Sequence, residues 1–222
     1  MPLRSFLWFT ASTLLGCLLL ILWLDQPLAW FSHRYLTGMV PFFLACTNLY
    51  EESYLVLMWP IKGLPLLFVG SLGAFLLVRI GLRQQWGSVF LLLLLTHTAS
   101  QISANLLKVA THRLRPEVLF DKGYEGLGFW QAGPNNDSFP SAHLTLIFSL
   151  FWPFAVIFPR YRIWFLVIPG IIGVGRLILD QHYVSDVWFA SWLVIAWAEL
   201  FRGVGSTCNL LYHKFLPKKL TS

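Results

Sequence analysis

The sequence predicts an all-α integral membrane protein with six transmembrane helices. Three observations predict it. The 222 residues are 57% hydrophobic and only 12% charged, where soluble domains run at about 25% charged. Apolar residues collect in runs of about 20, enough to cross roughly 30 Å of hydrocarbon as helix. The charges that separate these runs divide by sign between the two sides of the membrane.

The runs come in order. Residues 5–24 form the first span, too long for the core of a cleaved signal peptide of about 7–15 residues. Residues 25–59 are mixed, and Leu28, Phe31, Tyr35 and Leu36 recur at the spacing of an interfacial amphipathic helix. Further spans follow at 62–78, 88–107, 142–158, 163–179 and 187–201. Together they make one membrane-embedded domain over residues 1–222. The 11 tryptophans suit aromatic belts at two interfaces.

Both termini fall on one side. That side carries Arg4, Arg79, Arg83, Arg160, Arg162, Arg202, Lys214, Lys218 and Lys219, and of the acidic residues only Glu199. The positive-inside rule puts it in the cytoplasm. Residues 25–59, 108–137 and 180–186 then face outward, toward the periplasm of a Gram-negative cell. The net charge of +6 does not point to nucleic acid, because the basic residues are scattered between apolar runs and form no stripe. Cys17, Cys46 and Cys208 lie far apart and match no metal or redox spacing. No metal, cofactor or obligate protein partner is expected.

The polar residues of the outward side gather in three stretches. The first is Lys108 to Pro116, the second Ser138 to His143, the third Gly175 to Asp186. Ionisable residues against a bilayer are functional candidates by default. Arg176 and His182 cannot share one helical face, since six residues at about 100° each leave them roughly 120° apart. A helix break is therefore expected near Asp180-Gln181. His182 and Asp186, four apart, can touch if that piece is helical, and the carboxylate would fix the imidazole tautomer. Lys108, Arg115 and Arg176 supply three cations from separate segments. Arginine forks and lysine ammonium groups suit phosphate oxygens. Ser138 or Ser141 can cap a helix whose first N–H groups, at Ala142 and His143, add an anion site. Each stretch alone has a bland reading, as a basic loop, a capped helix start or a tethered interfacial histidine. All three on one face describe a phosphate-transfer site, with one histidine to attack phosphorus and the other to protonate the leaving oxygen.

These stretches resemble the signature of the type-2 phosphatidic acid phosphatase superfamily: Lys-x6-Arg-Pro, Pro-Ser-Gly-His and Ser-Arg-x5-His-x3-Asp. The resemblance implies an extracytoplasmic active site in a bacterial inner membrane, with phosphate bound by Lys108, Arg115, Ser141, Ala142 and Arg176. It implies His182 as the nucleophile that forms a phosphohistidine, Asp186 as its orienting group and His143 as general acid. The substrate would be a membrane lipid phosphate or diphosphate, such as undecaprenyl diphosphate, phosphatidylglycerol phosphate, phosphatidic acid or lipid A. Two alternatives stand beside a hydrolase: a phosphotransferase that passes the phosphate to an acceptor such as lipid A, and a non-catalytic lipid-phosphate binding or transport protein. Two positions depart from the pattern. Ala142 replaces a glycine, which matters if that glycine is left-handed, and Gly175 replaces a serine. His112 and Arg113 either meet a second phosphate or form a solvated loop face.

Overall fold

A computed structural model describes residues 2–58, 66–124 and 126–207, most of them helical and with no strand among them. Nine α-helices are present in the described residues: α1 (Leu3–Leu19), α2 (Asp25–Tyr35), α3 (Val40–Met58), α4 (Leu66–Ala74), α5 (Ser88–Thr111), α6 (Pro116–Lys122), α7 (Ala142–Ile157), α8 (Arg162–Ile178) and α9 (Val184–Thr207). Among the described residues four helical stretches are long and apolar enough to cross a membrane: Leu3–Tyr35, Gln85–Lys122, Pro159–Ile178 and Val184–Val204. Two shorter apolar ones, Leu66–Gly81 and Ala142–Ile157, accompany them. Residues 62–65 of the second expected span, Cys208 and the basic tail lie outside the described residues.

Side chains of α7, α8 and α9 interlock around Leu144, Ile147, Phe148, Ile172, Ala190 and Val194. Small residues let the helices approach: Gly173 lies against Leu144 and Val187. Indole N–H groups tie α9 to its neighbours. Trp188 donates to the Thr13 carbonyl of α1 at 3.2 Å, and Trp197 donates to Ser103 Oγ of α5 at 3.0 Å. The outward faces carry bare Leu106, Val109, Ile163 and Trp164, as lipid-facing helices do.

Two features differ from the sequence expectation. The first span and the expected amphipathic helix are one continuous rod, α1 passing through a π-helical turn at Leu20–Leu24 directly into α2. Residues 40–58, read as mixed, form the helix α3 of 19 residues. Glu51 and Glu52 break its apolar run and hid it, because isolated carboxylates are costly at a membrane. Glu51 has partners, described below, that the run itself does not reveal.

Candidate active site

The break between α8 and α9 falls at Leu179–Tyr183. Asp180 turns the chain there in a left-handed conformation, φ 56°, which aspartate tolerates better than most residues. The turn is pinned: His182 N donates to the Arg176 carbonyl at 3.2 Å, and Glu117 N donates to the Asp180 carbonyl at 3.0 Å. Arg176 thus closes one helix and Asp186 stands in the first turn of the next. His182 lies before α9, not on it, so the expected helical pairing with Asp186 does not apply. The two approach by the turn instead, His182 Nδ1 to Asp186 Oδ2 at 3.5 Å.

The closer partner of His182 is one the spacing did not indicate. Nδ1–H donates to the Ser138 carbonyl at 2.8 Å. A carbonyl only accepts, so Nδ1 carries the proton and Nε2 keeps its lone pair. Nε2 is buried and makes no hydrogen bond among the described residues. Burial pushes the His182 imidazole down to about 4 against the pull of Asp186, with Lys108 and Arg176 adding to the depression. The ring is therefore neutral at pH 7.

Asp186 is fully buried and collects donors. Arg113 Nη1 lies 2.6 Å from Oδ1, and Ser138 Oγ and Tyr183 N donate to Oδ2 at 2.6 and 2.8 Å. Ser138 therefore joins the pair twice, its hydroxyl on Asp186 and its carbonyl on His182. Ser141 caps α7, its Oγ accepting from Leu144 N at 3.4 Å, and its own N–H donates to the Asp186 carbonyl at 3.2 Å. The α7 N-terminus is thus sewn to α9.

The three expected cations converge, each beside a carboxylate. Arg115 grips Asp137 with Nε at 2.8 Å and Nη2 at 3.0 Å. Lys108 Nζ donates to the Asp137 carbonyl and lies 3.5 Å from its Oδ2. Burial raises the Asp137 carboxyl, but the Arg115 hydrogen bonds and the Lys108 charge outweigh it and hold it below the usual carboxylate range. Glu51, from α3, sits 2.9 Å from His143 Nε2 and 3.7 Å from Arg176 Nη1. Both carboxylates are about half exposed, 48% and 47%. Their oxygens thus take up the side chains of Lys108, Arg115, His143 and Arg176. Among the described residues no group of three or more His, Cys, Asp or Glu could hold a metal ion.

Arg113 corrects both of its expected readings. It meets neither solvent nor the open site; it is 1% exposed, with its guanidinium between the rings of Phe129 and Tyr183 at 4.6 and 4.3 Å. His112 is exposed, ends α5 in a left-handed conformation and contacts Asn136, as a loop face would.

The two departures from the motif find local reasons. Ala142 is the first residue of α7 and is not left-handed, so alanine fits without strain while keeping its N–H. A Cβ on Gly175 would stand 3.0 Å from Phe43 Cδ1, so a serine there would crowd α3. Gly175 is what lets α3 lie close beside Arg176.

A family model described as the PAP2 superfamily matches residues 89–208. A lipid A 1-phosphatase of Rhizobium johnstonii is 36% identical over 121 residues, covering 54% of this chain and 49% of that protein. A second lipid A 1-phosphatase, of Rhizobium etli, is 36% identical over 114 residues, covering 51% and 49%. The chain thus spans about half the length of these curated relatives. No solved structure matches.

Proposed function

The chain belongs to the PAP2 superfamily, and from that premise we propose that it is a membrane phosphatase removing phosphate from a lipid phosphomonoester of the lipid A 1-phosphate kind. The observation that carries this reading is His182: Nδ1–H is committed to a carbonyl, while Nε2 is buried with no hydrogen bond among the described residues. Nε2 attacks phosphorus, forming N–P as the ester O–P bond breaks. His143 gives its proton to the leaving oxygen. Lys108, Arg115, Arg176 and the first N–H groups of α7 hold the remaining phosphoryl oxygens. In the second half, water forms the new O–P bond, N–P breaks, and His143 takes the proton back.

The lipid assignment has physical support. A groove of about 660 Å³, lined by Tyr50, Leu93, Ile147, Phe151, Ile168 and Ile172, runs beneath the site. Tyr50 adjoins Glu51, Ile147 is one turn below His143 and Ile172 one turn below Arg176. An acyl chain lying in this groove would leave its phosphate at the cations. The proposal keeps six spans, with α3 dipping into the outer half of the bilayer between Gly175 and His97 without crossing it. Charge asymmetry supports cytoplasmic termini and a periplasmic site.

The test is phosphate release by the detergent-solubilised protein from a panel of lipid phosphates. Release fastest from a lipid A-type 1-phosphate, abolished in His182→Ala, is the expected result. His143→Ala should lose about 10²–10⁴-fold on the lipid ester yet keep an activated aryl phosphate, whose leaving group needs little protonation. Phosphate release from every lipid unchanged in His182→Ala would reject the reading.

A further inference from the structure

We propose that Asp25, on the N-terminal rod outside the residues matched by the family model, is a positioning residue for the site. It acts through Arg113 on Asp186, and so on His182. The inference rests on the phosphatase reading above.

The four groups form a buried chain. Asp25 is 1% exposed, Arg113 1%, Asp186 0% and His182 2%. Arg113 Nη2 binds Asp25 Oδ2 at 2.7 Å, while Nη1 binds Asp186 Oδ1 at 2.6 Å and Ser185 Oγ at 2.7 Å. Asp25 also accepts from Ser185 N at 3.0 Å and from the Ser185 hydroxyl. The Arg113 Nε makes no hydrogen bond among the described residues. Between the rings of Phe129 and Tyr183, the in-plane orientation of the guanidinium is therefore set by the hydrogen bonds of its two η nitrogens, and Asp25 is the anchor on one of them.

Without that anchor the fork is free to turn both η nitrogens onto Asp186, the bidentate geometry guanidinium and carboxylate prefer. Asp186 would then move off Ser138 Oγ and Tyr183 N, its other ties. Ser138 carries the carbonyl that holds His182 Nδ1, so the imidazole moves with it. A like-signed pair held apart by one buried arginine also explains why a carboxylate is tolerated at the end of an apolar run. Two carboxylates share one guanidinium here, so neutralising Asp25 leaves Arg113 and Asp186 as a one-to-one pair with nothing to oppose their bidentate closure. Among the described residues no hydrogen bond or ion pair joins Asp25 to Lys108, Arg115 or Arg176, so the inference leaves substrate binding untouched.

The discriminating experiment is a cycle on the full-length protein with a lipid phosphomonoester: wild type, Asp25→Asn, Asp186→Asn and the double variant, each with kcat, KM and thermal unfolding. Asp25→Asn should lower kcat by about 10- to 100-fold, the scale of a misplacement near 1 Å, with KM nearly unchanged. In the Asp186→Asn background the same change should cost less than about threefold, because it acts through the group already altered. Equal losses in both backgrounds, or a lowered unfolding temperature with unchanged kcat, would overturn the inference. If Asp25→Asn does not fold, Asp25→Ser carries the same comparison, since its shorter neutral side chain withdraws the carboxylate from Arg113 Nη2. If neither folds, Asp25 is a folding residue and the inference is overturned. Undiminished turnover in Asp186→Asn would instead reject the reading of the site itself.

Discussion

Glu51 Oε1 lies 2.9 Å from His143 Nε2 and bridges it to Arg176, joining α3 to the two helices that carry the proposed chemistry. A carboxylate in that place competes with a phosphate for the same donors. On the proposed reading, substrate displaces it or shares Arg176 with it.

Glu51→Gln should therefore tighten the binding of phosphate-like anions. Glu51 is about half exposed and His143 about a third, and exposed pairs are worth about 0.2–1 kcal/mol, so orthovanadate inhibition should strengthen by roughly 1.4- to fivefold. Weaker vanadate inhibition would show instead that Glu51 holds Arg176 and His143 in place for the anion.

The pH behaviour of His182 follows from its burial. With its folded value near 4 and an ordinary unfolded value near 6.5, the neutral ring persists well into acid. Phosphoryl transfer in a single turnover should show no loss from nucleophile protonation until the pH approaches about 4. A midpoint near 6.5 in that step would mean that Nε2 is hydrated. The sign for stability is opposite to that of a paired histidine. The unfolded chain binds the proton more readily, so the His182 contribution is present above about 6.5 and is lost as pH falls toward 4. Acid unfolding of His182→Gln should begin at lower pH.

The two departures from the family motif can be reversed. Ala142→Gly should leave turnover unchanged, because Ala142 is already in a right-handed first turn. Gly175→Ser should cost about 1–3 kcal/mol of stability by pressing on Phe43, the usual scale of overpacking. In a Phe43→Ala background the same Gly175→Ser change should cost much less, because the ring it presses on is gone. Full stability of Gly175→Ser alone would show that α3 does not pack tightly here.

The sequence made parts of this architecture plain and left others unreadable, for physical reasons. The break at Leu179–Tyr183 was legible because Arg176 and His182, six residues apart, cannot share one helical face. The convergence of Lys108, Arg115 and Arg176 was legible because charge at a membrane boundary is expensive and informative. The partner of His182 was not, since backbone carbonyls such as that of Ser138 carry no residue-type signal. Arg113 and Asp25 are 88 residues apart, and neither lies at a spacing that announces the other. Asp25 looked like the end of a span. Glu51 argued against a helix only while its partners on α7 and α8 were unknown.

The central claim is that phosphate passes through His182. It is tested most directly by rapid alkaline quenching of His143→Ala turning over a radiolabelled aryl phosphate, followed by peptide mapping. With His143 absent, attack on an activated ester proceeds while hydrolysis of the intermediate loses its base, so the intermediate accumulates. Base-stable, acid-labile label on His182, formed no slower than product and absent in His182→Ala, is the result predicted. Steady turnover with no label on His182, or label on another residue, would contradict the account.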